Sequence, residues 1–245
     1  MMKSVPIVLL LLLVTGIGIK SLNSQDIAPQ VWSNAGVAWN INEHFAWRNY
    51  VAYNVLISNE YPWDEFTITS TGAYRFKRFF EATFGVYTAR TRQTESIKSF
   101  EIRPFAGFRA STNNTKRWLI SNLSRLEMRR MFYSGKENST SFRFRNRTYA
   151  GVSLNKTSIS VGKNNLVLFG YFEAFFNFGQ EVRERFFNQF KYKMGFAYRL
   201  NNSWGFDLGV IYQDAKNNVK IPTQAPTNQI TYFIIEWGLV FVIGS

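Results

Sequence analysis

The segment QFKYKMGFAYRL, residues 189–200, decides the fold of this chain. One alternating set of its residues is polar or small: Gln189, Lys191, Lys193, Gly195, Ala197 and Arg199. The other set is large and apolar: Phe190, Tyr192, Met194, Phe196, Tyr198 and Leu200. Successive side chains of a β-strand point to opposite faces, whereas a helix would mix the two sets. The alternation therefore predicts a strand with one polar and one apolar face.

The same two-residue period recurs through most of the chain. WGFDLGVIYQD, residues 204–214, sets large apolar side chains against Asp207, and residues 45–57 and 231–243 repeat the pattern. Eleven such segments are found, at about 30–40, 44–57, 65–76, 79–90, 97–111, 117–133, 141–154, 166–178, 187–200, 203–214 and 230–243. Short and long connections alternate between them. This order predicts an all-β, up-and-down antiparallel meander in one domain.

The number of strands is the open point of this prediction. Single-chain bacterial barrels have an even number of strands, and eleven segments are counted. The sequence therefore predicts a barrel of about 10–12 strands, in which two segments merge or one is missed. The two candidates for a missed strand are Gln25–Gln30 and Lys156–Gly162. Twelve strands are favoured over ten.

Strand length and aromatic content indicate which face is inside. The segments run to about 11–14 residues, whereas strands of soluble proteins cluster near 5–6 residues and membrane-spanning strands need about 9–11. The apolar faces carry more large side chains than a small barrel can enclose. Tryptophans expected at strand ends, where an interfacial girdle lies, are on the apolar face: Trp47, Trp118, Trp204 and Trp237. The sequence therefore predicts a transmembrane barrel with its apolar face toward lipid and its polar face toward the lumen.

The N-terminus has the pattern of a secretory signal. Lys3 precedes an apolar run from Val5 to about Ile19, which is short for a spanning helix. We expect residues 1–24 to be a signal peptide and residues 25–245 to form the barrel domain, with an uncleaved anchor helix as the alternative. The net charge of +13 suits contact with anionic lipid head groups or lipopolysaccharide. Export argues against nucleic acid as a partner.

The stretch SFRFRNRTYAG, residues 141–151, carries arginine at every second position. The preceding segment, SRLEMRRMF, has the same spacing of charge. Because a charge facing lipid is costly, these side chains are expected to face the lumen. The predicted lumen-facing ladder consists of Arg125, Glu127, Arg129, Arg143, Arg145, Arg147, Glu173, Lys191 and Lys193. Further lumen candidates are Arg48, Arg75, Glu81, Glu101, Arg103, Arg109, Arg199, Asp207 and Glu236.

Three interpretations of this ladder follow from its chemistry. Buried charges persist when they are paired, so the ladder could be salt-bridged packing of the lumen. Rings of Arg and Lys also favour anions, so it could line an anion-attracting pore. The third interpretation, nucleic-acid binding, rests only on basic and aromatic composition, which is weak evidence.

Several segments resemble one known family of outer-membrane barrels, domain of unknown function 2490. The matching pieces are VWSNAGVAWNINEHFAWRNYVAYN, RLEMRR followed by FRFRNRTYAG, GYFEAFFNF, and FKYKMGFAYRLNNSWGFDLGVIYQ. The resemblance covers nearly the whole chain after residue 24. It implies a porin-like β-barrel in the outer membrane of a Gram-negative bacterium, inserted by the barrel-assembly machinery, with no established activity and no catalytic residues to carry over.

Enzyme chemistry has little support in the sequence. Barrel lipases and deacylases typically need a histidine as base, and the one histidine, His44, lies in the turn NINEH. No cysteine is present, and neither a metal site nor a cofactor is expected. The leading hypothesis is a channel or transport barrel for small solutes, anionic ones in particular. The alternatives are a structural or adhesion barrel with a closed lumen and a lipid-modifying enzyme. The oligomeric state is left open.

Overall fold

The computed structural model describes residues 27–57, 63–93, 98–112, 116–134, 137–160, 162–179, 187–216 and 229–244. Every regular element in them is a β-strand: β1 (Ile27–Asn40), β2 (Phe45–Leu56), β3 (Asp64–Lys77), β4 (Phe80–Arg92), β5 (Lys98–Ser111), β6 (Trp118–Tyr133), β7 (Ser139–Ser153), β8 (Asn165–Gly179), β9 (Phe187–Arg199), β10 (Trp204–Lys216) and β11 (Gln229–Ile243). Among these residues no helix has the length and apolar character needed to cross a membrane. The predicted signal peptide, residues 1–24, lies outside the described residues.

The eleven strands form one closed barrel. Each strand pairs antiparallel with the next along the chain, and β1 pairs in parallel with β11, from Ile27 opposite Thr231 to Trp39 opposite Ile243. An odd number of up-and-down strands leaves the first and last strands pointing in the same direction, so the closing pair has to be parallel. The predicted all-β up-and-down barrel is confirmed.

The preference for twelve strands is wrong for the described chain. Residues 27–30 extend the start of β1 and do not form a strand of their own. The described residues of 156–162 are bends and turns in the connection between β7 and β8. That connection is held in place by side chains, because Asn165 donates a hydrogen bond to the Ile159 carbonyl (3.1 Å) and Arg117 donates one to the Leu154 carbonyl (2.9 Å).

The connections distinguish the two ends of the barrel. The end that we call the short-turn end carries residues 41–44, 78–79, 112–117, 154–164 and 200–203. The opposite end, the loop end, carries residues 57–63, 93–97, 134–138, 180–186 and 217–228. All five connections at the short-turn end are shorter than the 12-residue connection before β11. In outer-membrane barrels the short turns face the periplasm.

Polar and apolar side chains are distributed in the reverse of a soluble protein. Among the described residues, 41 large hydrophobic side chains are exposed, while 20 polar or charged residues and only 13 hydrophobic ones are buried. Soluble proteins rarely expose contiguous apolar patches larger than a few hundred Å². An outer surface this apolar is unfavourable in water and is suited to an apolar environment.

Three tryptophans of the outer barrel surface lie near the short-turn end. Trp118 and Trp204 are the first residues of their strands, and Trp204 packs on Phe241 with ring centroids 4.7 Å apart. Trp47 lies near the start of β2 and packs edge-on against the Phe84 ring. The expectation that Trp237 marks a strand end is wrong, because it lies in the middle of β11.

Two facing glycines bring β9 and β10 unusually close together. Gly195 pairs with Gly209. A Cβ atom added at Gly195 would lie 2.3 Å from the carbonyl oxygen of Leu208 and 2.7 Å from the Cα of Gly209. Both of these are backbone atoms, so a side chain at this position could be accommodated only if the strands moved apart.

Replacing Gly195 by alanine is therefore expected to lower the free energy of unfolding by about 1–3 kcal/mol, the usual cost of overpacking. Gly205→Ala on β10 is the matched control, since its Cβ would lie no nearer than 3.8 Å to another residue. The control should be neutral or slightly stabilising, because alanine restricts the unfolded chain. Urea titration of the refolded barrel, followed by tryptophan fluorescence, measures both. Equal transition midpoints for the two variants would contradict the prediction.

Candidate anion site in the lumen

The structure places all nine residues of the predicted ladder on the interior wall, on strands β6 to β9. They are Arg125, Glu127, Arg129, Arg143, Arg145, Arg147, Glu173, Lys191 and Lys193. The side chains that alternate with them, such as Leu126, Phe142 and Met194, are exposed on the outer surface. The period of two along each strand produces this separation.

Glu127 is the centre of the ion-pair network. The register of β6 and β7 sets it directly opposite Arg143 and sets Arg125 opposite Arg145. Its carboxylate lies 2.5 Å from Nη2 of Arg125, 2.5 Å from Nη2 of Arg143, 3.7 Å from Nη1 of Arg103 and 3.8 Å from Nη1 of Arg145. The Glu127 side chain is 0% exposed. One buried carboxylate therefore contacts four guanidinium groups.

Glu101 lies on one side of this centre, on β5. Arg103 donates two hydrogen bonds to its carboxylate, both of 2.7 Å. Arg129 donates two more, of 2.8 and 3.2 Å. Bidentate pairs of this kind are strong and fix the orientation of both partners. Because Arg103 also contacts Glu127, the two carboxylates belong to one network.

Glu173 lies on the other side, on β8. Its Oε1 atom accepts hydrogen bonds from Arg145 and from Nε of Arg147, the latter at 2.7 Å. Lys191 is directly opposite it in the register of β8 and β9. The network from Glu101 to Glu173 thus joins six arginines with three glutamates, and positive charge is in excess.

Aromatic rings on the interior wall pack against several of these cationic groups. Arg103 lies 4.1 Å from the ring centroid of Tyr87, Arg125 lies 4.1 Å from Phe105, Arg147 lies 4.6 Å from Tyr171 and Lys191 lies 4.3 Å from Trp32. Such contacts stabilise cations most where water is excluded. Sequence reasoning did not identify these rings as part of the site. Their positions in the sequence could have identified them. Phe105 and Tyr171 each lie two residues from a charged residue of the same strand, so they share its face.

A cavity of about 560 Å³ lies against this network. Nine of its lining residues are arginine or lysine and three are glutamate. Glu127 and Glu173 do not line it, and their side chains are 0% exposed, whereas those of Arg147 and Arg109 are 31% and 35% exposed. Glu127 and Glu173 are thus set back from the cavity, and the wall that faces it carries nine cationic side chains against three carboxylates.

Like charges also meet across the cavity. Arg48 and Arg109 share the carboxylate of Glu81, each at 3.3 Å. Cations brought together with so few carboxylates between them form a site that an anion would stabilise.

A second ion-pair group ties the closing pair of strands to β9. Lys193 lies 3.2 Å from Oδ2 of Asp207 and 2.9 Å from Oε2 of Glu236. Asn34 on β1 donates a 2.5 Å hydrogen bond to Oε1 of Glu236 on β11. Toward the loop end, β10 and β11 also carry an apolar interior cluster of Ile211, Tyr232 and Ile234, which packs against Trp32 and Leu56.

His44 lies apart from the lumen site. It is exposed in the turn between β1 and β2, and its Nδ1 atom is 2.9 Å from the carbonyl oxygen of Arg75. Within the described residues no group of three or more His, Cys, Asp and Glu side chains is placed to hold a metal ion.

The fold and the interior define a closed β-barrel with an apolar outer surface and a cationic lumen. The family described as "Protein of unknown function (DUF2490)" matches residues 29–223. The chain belongs to this family, and the resemblance seen in the sequence is confirmed. No curated protein matches the chain, and no solved structure matches it.

Proposed function

We propose that the protein is an outer-membrane barrel of a Gram-negative bacterium that admits small anionic solutes into its lumen and passes them across the membrane. One observation carries this proposal. Glu127 and Glu173 do not line the cavity of about 560 Å³, whose wall carries nine arginine and lysine side chains against three glutamates and so presents mainly positive charge.

Three further observations support the membrane location. The outer surface is apolar, the strands run for 12–16 residues, and residues 1–24 have the pattern of a secretory signal. Strands of this length are sufficient to cross the hydrocarbon core at a tilt. The short-turn end would face the periplasm and the loop end the exterior, where lipopolysaccharide is the neighbouring lipid. Insertion would depend on the barrel-assembly machinery.

The chemistry of the wall suits an anion. Guanidinium groups are less strongly hydrated than ammonium groups and present several donors in a fixed plane, which matches carboxylate and phosphate oxygens. The cavity volume lies in the range of about 300–1,000 Å³ that is usual for small-molecule sites. Arg147 and Arg109 are the partly exposed members, so they would meet a solute first.

Reconstitution in a planar bilayer tests the proposal. The folded barrel under a KCl gradient should give discrete conductance steps, with a reversal potential that indicates chloride over potassium. Arg147→Gln should reduce this preference, because it removes a charge from the cavity wall. Arg130→Gln is the matched control, since Arg130 lies on the outer surface, and it should leave the reversal potential unchanged. A folded barrel that is silent at all voltages and salt concentrations would refute passage and favour a closed structural barrel.

A further inference from the structure

We infer that the solute bound in the cavity is an organic anion with several hydroxyl groups, of the class of sugar phosphates and sugar acids. The inference rests on the proposed function, since it names which anions the cavity selects. It follows from the side of the cavity on β3 and β4, where five threonines accompany a single lining carboxylate, that of Glu65.

Hydroxyl side chains form a continuous patch of the cavity wall on β3 and β4. Its members are Thr67, Thr69, Thr71, Thr83 and Thr91, which we call the threonine patch. Three of them occupy alternate positions of β3, so their side chains share the inner face. In the register of β3 and β4, Thr69 lies opposite Tyr87, whose ring carries Arg103. The threonine patch is therefore adjacent to the arginine network on the same wall.

Two polar atoms, one within the threonine patch and one on the neighbouring strand β2, lack hydrogen-bond partners among the described residues. Thr83 Oγ1 and Asn54 Oδ1 are buried and make no hydrogen bond to any described residue. Both residues are 5% exposed and both line the cavity. Leaving a buried polar atom unpaired is unfavourable, and ligand hydroxyl groups are partners of the right chemistry for both atoms.

Size favours a larger anion over a bare inorganic ion. A water molecule takes up about 30 Å³ in the liquid, and the cavity measures about 560 Å³. A chloride or phosphate ion bound to Arg147 would leave the threonine patch without a partner. An anionic group attached to a polyhydroxylated body would contact the arginines and the threonines at the same time.

Calorimetric titration of the folded full-length barrel in detergent tests the inference with three probes: glucose 6-phosphate, inorganic phosphate and glucose. Glucose 6-phosphate should bind at least tenfold more tightly than phosphate, and glucose more weakly than either. The double variant Thr69→Val, Thr83→Val should bring the affinity for glucose 6-phosphate down to that for phosphate, with phosphate binding unchanged. Arg147→Gln should weaken both anions.

The controls separate folding from binding. Thr88→Val changes a threonine of β4 outside the cavity lining and should leave all three affinities as they are. If the double variant does not fold, Thr69→Val alone is expected to show the same selective loss. Equal affinities for glucose 6-phosphate and phosphate would overturn the inference and leave anion passage standing. Failure of all three probes to bind would also overturn it, and together with a silent bilayer would overturn the proposed function as well.

Discussion

We expect Glu127→Gln to lower the free energy of unfolding of the barrel by about 3–5 kcal/mol, which is the cost of removing one partner from a buried ion pair. The substitution preserves the shape of the side chain and removes its charge. Four guanidinium groups lie within 4 Å of the Glu127 carboxylate, those of Arg103, Arg125, Arg143 and Arg145. Without the carboxylate they repel one another in a wall from which water is largely excluded.

The size of this effect follows from the position of the residue in the network. Arg145 retains Glu173 and Arg103 retains Glu101, but Arg125 and Arg143 have Glu127 as their one acidic partner among the ion pairs found. Urea unfolding of the refolded barrel measures the loss, with heat-dependent gel mobility as a second readout. Glu137→Gln is the matched control, because Glu137 is exposed outside the strands. Equal midpoints for the two variants would show that the arginines are stabilised without Glu127.

Met194→Arg is expected to destabilise the inserted barrel by about 2–4 kcal/mol, the cost of an arginine that faces lipid at the middle of the bilayer. Met194 lies in the middle of β9, and 68% of its surface is exposed on the outer face. Arginine, like methionine, is unbranched at Cβ, so the change adds charge without adding a branch next to the backbone. Unfolding from lipid vesicles measures the effect.

The control for this prediction lies at the edge of the barrel. Ile41 is exposed in the turn after β1, where a charge can reach the head groups, so Ile41→Arg should cost only about 0–1 kcal/mol. If Met194→Arg is tolerated as well as Ile41→Arg, the outer surface does not lie in hydrocarbon. In detergent micelles, where the surroundings can adapt to the new charge, the difference between the two variants should shrink.

The sequence predicted the strands and the direction of their side chains because both depend on local alternation. The segment expected at about 203–214 is observed as Trp204–Lys216, and the one expected at about 97–111 is Lys98–Ser111. Arg143 could be assigned to the inside of the barrel from two facts: its position in the alternation along the strand, and the free-energy cost of a charge that faces lipid. These properties are set by each residue and its immediate neighbours.

The closure of the barrel could not be read from the same pattern. The parallel pair joins residues 27–39 to residues 231–243, and alternation says nothing about which distant strands pair. The expectation of an even number of strands came from other barrels and failed here. The aromatic rings of the interior wall, such as Phe105 and Tyr171, were also not predicted as part of the site. An aromatic residue among polar ones departs from the alternation, and its role becomes clear only when the cation packed on it is known.

Alternation along the chain is sufficient to assign the arginine ladder to the inner faces of strands in a barrel with an apolar outer surface. Which carboxylates the arginines contact, and which of these carboxylates line the cavity, is set by the tertiary structure. Glu81 on β4 contacts Arg48 on β2, two strands away, and Arg103 links Glu101 to Glu127 on the next strand. The ion-pair partners of each arginine and the burial of each carboxylate depend on the register between strands and on the curvature of the closed sheet. Both are set by contacts between residues far apart in the chain.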